Sequence, residues 1–201
     1  MKKNLDFVTQ IQSGLETLNG ISNPHAAEDF IIASEKRNAL LISEIDREAD
    51  VAICLQKEIL QKFSETKLPT DFNLEVFPEL SIVIEELSHF NTYCIKATQD
   101  ESVSALELEV QAEVDKFGLA LGWLEQRNEF ELREKVYDLL FKEVQIGSWV
   151  KDSELARYAE AHLIAKNFCK QILQSGSTVG VQEKFQKFFA LPLSDKLTSK
   201  F

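Results

Sequence analysis

The chain has few of the residues that make turns, with 7 glycines and 4 prolines in 201 residues. All-β sandwiches and barrels need a turn signal roughly every 8–12 residues, so this scarcity excludes them and favours long helices. Cysteine is also rare. Cys54, Cys94 and Cys169 lie far apart, with no CxxC and no Cys–His cluster. The common structural zinc sites are therefore excluded, and the odd number reads as free thiols buried among apolar neighbours in a reducing compartment.

Positive charge is in deficit. Lys and Arg number 22 against 33 Asp and Glu, giving a formal net charge of −11 and a pI near 4.8. Nucleic-acid backbones and anionic lipid are bound through clustered basic side chains, so neither is an expected partner. A basic protein is. No uncharged apolar stretch of 18 residues occurs, and in "MKKNLDFVTQIQ" Asp6, Thr9, Gln10 and Gln12 interrupt any signal-peptide core. The expectation is a cytoplasmic protein without a membrane span. Also missing are GxGxxG, the P-loop, GxSxG and HExxH, the motifs of the common nucleotide-binding, hydrolase and zincin mechanisms.

What is present is helical periodicity. Leu5, Val8, Ile11, Leu15 and Leu18 recur at three and four residues, and Gly20 stands where a C-cap glycine belongs. From Asn23 and Pro24 to about Ser64 no glycine or proline follows. Leu40, Leu41, Glu44, Glu48, Val51, Leu55 and Ile59 there fit a long helix or two collinear ones. "SETKLPTDFNLEVFPEL" reads as a proline-containing connector with an extended piece near Phe72–Phe77, and Pro78 opens the next helix. Further helices are expected over 79–98, to about Gln126, to Gly147, through "SELARYAEAHLIAK", and in "VQEKFQKFFAL". Gly118 and Gly122 are expected to mark close helix approach. The resulting expectation is an all-α, single-domain bundle of about six to seven mostly antiparallel helices. It comprises an N-terminal helix over 1–20, a main bundle over 24–174, and a short C-terminal helix and tail over 180–201.

Two constellations carry candidate chemistry. Arg157 and His162, an arginine four intervening residues before a histidine, resemble the Rx4H core motif of the HEPN superfamily. That resemblance implies a helical bundle that cleaves RNA without metal, with Arg157 as cation and His162 as general base. On a straight helix, five residues advance about 500°, leaving the two side chains about 140° apart. The Leu155, Ala159, His162, Cys169 stripe then puts His162 inward and Arg157 outward. The second constellation is "IVIEELSHF", in which Glu86 and His89 form the ExxH pairing that ferritin-like di-iron bundles use twice, together with two lone glutamates. Glu48 (or Glu44) on the preceding stretch would supply one glutamate. His162 lacks a glutamate three residues earlier, because Ala159 stands there. A reduced site of Glu48, Glu86, His89 and His162, holding iron or manganese, is the alternative expectation. With these residues read as facing different ways, no cofactor is predicted under the leading one.

That leading expectation is a protein-binding or regulatory module of the immunity or antitoxin type, with no visible catalytic apparatus. Phe185, Phe188 and Phe189 form an apolar stripe at helical spacing. The stripe docks on the protein's own core or, if exposed, could serve a partner or a second copy of the chain.

Overall fold

The computed structural model describes residues 4–46, 48–142, 152–175 and 180–198. Helix α1, Asp6–Asn19, buries Phe7, Val8, Ile11 and Leu15 along one face. It stops at Gly20, whose left-handed φ of 65° lets the next N–H, that of Ile21, reach the Glu16 carbonyl at 3.0 Å. A 3₁₀ turn, Ala27–Phe30, leads into three strands: β1 (Ile31–Ser34), β2 (Ala39–Ile45) and β3 (Glu48–Gln56). The short α2, Lys57–Lys62, closes this half.

The strands correct the all-α expectation and, with it, the long helix over 24–64. They form a mixed sheet of order β1-β3-β2, with β3 parallel to β1 and antiparallel to β2. The misreading has a physical cause. The apolar residues of 40–59 satisfy a three-and-four spacing, but Val51, Ile53 and Leu55 also alternate, and Ile42, Ile45, Val51 and Ile53 are β-branched. The hairpin carries no glycine to betray it. Ile45 pairs with Glu48, and Asp46 takes up the left-handed conformation, φ 51°, that Gly or Asn usually supplies. The Asn23–Pro24 helix start also fails. Asn23 Oδ1 instead accepts from the His25 N–H, and no helix begins there.

Alternation gives the sheet two faces. Leu40, Val51, Ile53 and Leu55 point inward, and Ile42, itself 38% exposed, shares their face with Glu44, which accepts a 2.8 Å hydrogen bond from the Tyr93 hydroxyl. Ile32, Leu41 and Ile45 point outward and are 53%, 38% and 67% exposed.

The rest of the described chain is helical: α3 (Phe77–Thr98), α4 (Ala105–Gln126), α5 (Arg133–Phe141), α6 (Asp152–Gln174), α7 (Val181–Ala190) and α8 (Leu193–Thr198). Pro78 lies in the first turn of α3, as read from the sequence, whereas residues 72–76 are irregular chain and turn and not strand. Ser104 caps α4 by accepting from the Glu107 N–H. The expected helix end at Gly147 and most of "QSGSTVG" lie outside the described residues.

Helix α4 is the hub of the fold, packing against α1, α3, α5 and α6. Gly118 lets α1 and α7 approach it, since a Cβ there would sit 2.7 Å from Leu18 Cδ2 and from Phe185 Cε1. Gly122 has open space around it. The phenylalanine stripe of α7 is buried within the chain itself, with Phe185 edge-on to Phe168 of α6 and Phe188 packed against the same ring at 4.3 Å. No helix among the described residues is long and apolar enough to cross a membrane. All three cysteines are free and buried.

Candidate functional site

Of the charged residues nominated from the sequence, Glu86, His89, Arg157 and His162 converge where α3, α4 and α6 meet. Helix α3 contributes Glu85, Glu86 and His89, with Glu85 and His89 one turn apart. Helix α4 contributes Glu109, Glu113 and Lys116, which share a face at spacings of four and three. Helix α6 contributes Arg157 and His162.

His89 is the centre. Its Nδ1 lies 3.9 Å from Glu86 Oε2 and its Nε2 lies 3.6 Å from Glu109 Oε2. Both are electrostatic contacts too long for hydrogen bonds. Burial favours the neutral ring, but Glu109 and Glu86, with Glu85 behind them, reverse this and push the His89 pKa up to about 10. Lys116 Nζ sits between Glu85 Oε2 at 2.5 Å and Glu113 Oε1 at 2.7 Å. Burial works against its charge, yet those two carboxylates raise its pKa. Reciprocally, burial raises the Glu85 pKa, and Lys116 and His89 more than offset that and lower it.

The Rx4H pair is drawn onto the same helix. Arg157 Nη2 lies 3.7 Å from Glu109 Oε1 and 3.5 Å from Glu154 Oε1. His162 Nδ1 lies 3.9 Å from Glu113 Oε2, and its ring packs on Phe141 at 5.3 Å. The two side chains are exposed to nearly the same extent, 29% and 28%. The inward–outward contrast of a straight helix is therefore not seen, because the long Arg157 side chain reaches back to α4. Each of the two side chains lies beside a carboxylate of α4.

Three polar atoms in this cluster are buried without a hydrogen-bond partner among the described residues: Glu86 Oε2, His89 Nε2 and Arg157 Nε. Glu86 and His89 are 5% and 9% exposed, so they are a core pair. Glu85, His89 and Glu109 each offer one ligand atom, all within 4.8 Å of one another. Glu48 is not brought to them. It stands exposed at the start of β3, in a strand and not on an inward helical stripe.

Glu48 belongs to a second feature. A groove of about 900 Å³ runs between the β2–β3 hairpin tip and the α3–α4 corner. Its acidic lining is Glu44, Asp46, Glu48, Asp100 and Glu101, and none of its described lining residues is basic. Ile42, Ile45, Val103 and Leu108 supply apolar surface in the same groove. Lys96, outside the lining, pairs with Glu101 at 2.6 Å.

Sequence reasoning passed over Glu85, Glu109, Glu113 and Lys116. The 109, 113, 116 spacing was the available signal, and it was masked because α4 carries polar residues on more than one face. The chain matches no protein-family model, no curated protein and no solved structure.

Proposed function

We infer that this protein is a protein-binding, regulatory module whose docking site is the acidic groove at the hairpin tip. The preferred partner is a basic segment that also carries apolar side chains. The observation that carries the reading is the lining of the groove: carboxylates from two strands and the α3–α4 turn stand around Ile42, Ile45, Val103 and Leu108. Carboxylates without basic neighbours among the described lining residues attract Lys and Arg, and exposed aliphatic surface beside them rewards apolar contact. The net charge of −11 steers the same class of partner over longer range. Tyr93 holds Glu44 in place, and burial followed by Glu44 itself raises the Tyr93 pKa to about 12, so the hydroxyl remains a donor.

Free buried thiols support a reducing, cytoplasmic setting. The regulatory class that includes immunity and antitoxin proteins fits an acidic chain with a partner groove. The RNase expectation gains nothing from the arrangement, because carboxylates face both Arg157 and His162, where a phosphate would have to sit.

The test is capture of a stoichiometric partner from native lysate by the full chain, beside a chain carrying Asp46→Asn, Glu48→Gln and Asp100→Asn. The partner should be lost from the substituted chain and should dissociate as salt rises. Equal capture by both chains, or binding indifferent to salt, refutes the groove as the docking site.

A further inference from the structure

We propose that Glu85, His89 and Glu109 form a binding site for one divalent first-row transition-metal ion, with Glu86 orienting the histidine. The inference is independent of the groove. Two carboxylates and one imidazole are the donor set that Mn²⁺, Fe²⁺ and Zn²⁺ accept. The geometry is close to closed. Ligands about 2.1 Å from a tetrahedral zinc stand about 3.4 Å apart, and His89 Nε2 stands 3.6 Å from Glu109 Oε2. The full triad of ligand atoms falls within 4.8 Å, so an inward movement of less than about 1 Å by each ligand atom would seat an ion.

The unpartnered atoms point the same way. His89 Nε2 faces Glu109 with no donor or acceptor of its own among the described residues, in a side chain nine-tenths buried. Such an atom usually has an ion or water to meet, and a metal seated there takes the Nε2 lone pair by displacing the proton that the surrounding carboxylates otherwise hold, which leaves to solvent. On the other side of the ring, Nδ1 faces Glu86 Oε2, also buried and unpartnered. A ligating histidine commonly directs its second N–H at a carboxylate, which fixes the tautomer and the ring. Glu86 is placed to do this, which gives a buried glutamate a role that an ion pair at 3.9 Å does not.

Lys116 decides how many ions the cluster takes. Its ammonium bridges Glu85 and Glu113, the position a second cation would need in a dinuclear carboxylate site. His162 and Glu113 lie beyond it. The site is therefore mononuclear, unlike the paired-iron arrangement that ExxH implies.

Elemental analysis of the full chain, stripped with chelator and dialysed against Mn²⁺ or Zn²⁺, tests the proposal. About one equivalent of either metal should remain. Titration calorimetry should show Glu86→Gln weakening binding about tenfold or more at unchanged far-UV circular dichroism. Glu109→Gln should abolish uptake where it folds, and Glu48→Gln in the groove should leave it intact. Less than half an equivalent on the folded wild-type chain overturns the site. So does undiminished uptake by folded Glu109→Gln, because the metal would then lie elsewhere on an acidic surface, while a Glu86→Gln affinity less than tenfold weaker removes the orienting role of Glu86.

Discussion

Asp115 is the most exacting place to test the energetics of this fold. Its carboxylate is buried on α4. Oδ1 accepts from Asn19 at 2.9 Å and Gln111 at 2.8 Å, and Oδ2 accepts from the Ser88 hydroxyl at 2.6 Å. Desolvation outweighs these three hydrogen bonds and the attraction of Lys196, and raises the pKa from 3.8 to about 6. The sign follows directly. Between pH 4 and 6 the native state keeps a proton that the unfolded chain has released. The stability that proton brings is present at low pH and is lost as pH rises through 6. A shift of roughly two units corresponds to about 3 kcal/mol. Asp115→Asn keeps an acceptor for both amides, and its new N–H₂ faces Ser88, whose hydroxyl can turn to accept. The variant should match wild type near pH 4 and exceed it by about 2–3 kcal/mol at pH 7. Urea denaturation at unit steps of pH from 4 to 7 reads the difference. Parallel stability curves, or a variant weaker than wild type at pH 7, refute the dominance of desolvation.

Gly118→Ala should destabilise by about 1–2 kcal/mol in urea, since overpacking against Phe185 exceeds the helix-propensity gain of alanine. Phe188→Ala removes a fully buried ring stacked on Phe168 and should lower stability by about 3–5 kcal/mol, read from the denaturation midpoint. Lys116→Met leaves Glu85 and Glu113 facing each other without their ammonium. It should lose about 2–4 kcal/mol at pH 7, with the deficit shrinking toward pH 4 as the carboxylates protonate. The three cysteines should resist a thiol reagent such as Ellman's until the chain is denatured. Burial raises the Cys94 pKa to about 11 and holds that of Cys169 well above normal.

Where apolar residues fall on a single face, the sequence was readable. The end of α1 at its Gly20 cap and the span of α7 with its phenylalanine stripe match their expected positions to within a residue, although α1 starts at Asp6 and not at the head of the chain. The failure came at 31–56, where one set of residues satisfies both a period of 3.6 and a period of two. Composition could not choose between them, because the turn rests on Asp46 and not on glycine. The site was half legible. His89 and Glu86 were visible as a motif, and Arg157 with His162 as another. Their meeting depends on Glu109 and Glu113, whose neighbours come from α3 and α6, and such long-range pairing has no local signature.

The same helix explains both the fold's specificity and its polar interior. Along α4 the positions 109, 113 and 116 face α3 and α6 with charge, while 107, 111 and 115 lie on another line and meet Lys96, Asn19, Ser88 and Lys196. Val110, Val114, Phe117 and Leu124 fill the space between these lines with apolar contact. A helix apolar all round could slide or rotate against its neighbours at modest cost. A shift of one residue here would strand Asp115 from its three donors and part Lys116 from two carboxylates, and each unpaired buried charge costs several kcal/mol. The polar lines thus fix the register of α4 against α1, α3, α6 and α8. The fixed register is in turn what holds Glu109 opposite His89 closely enough to share an ion.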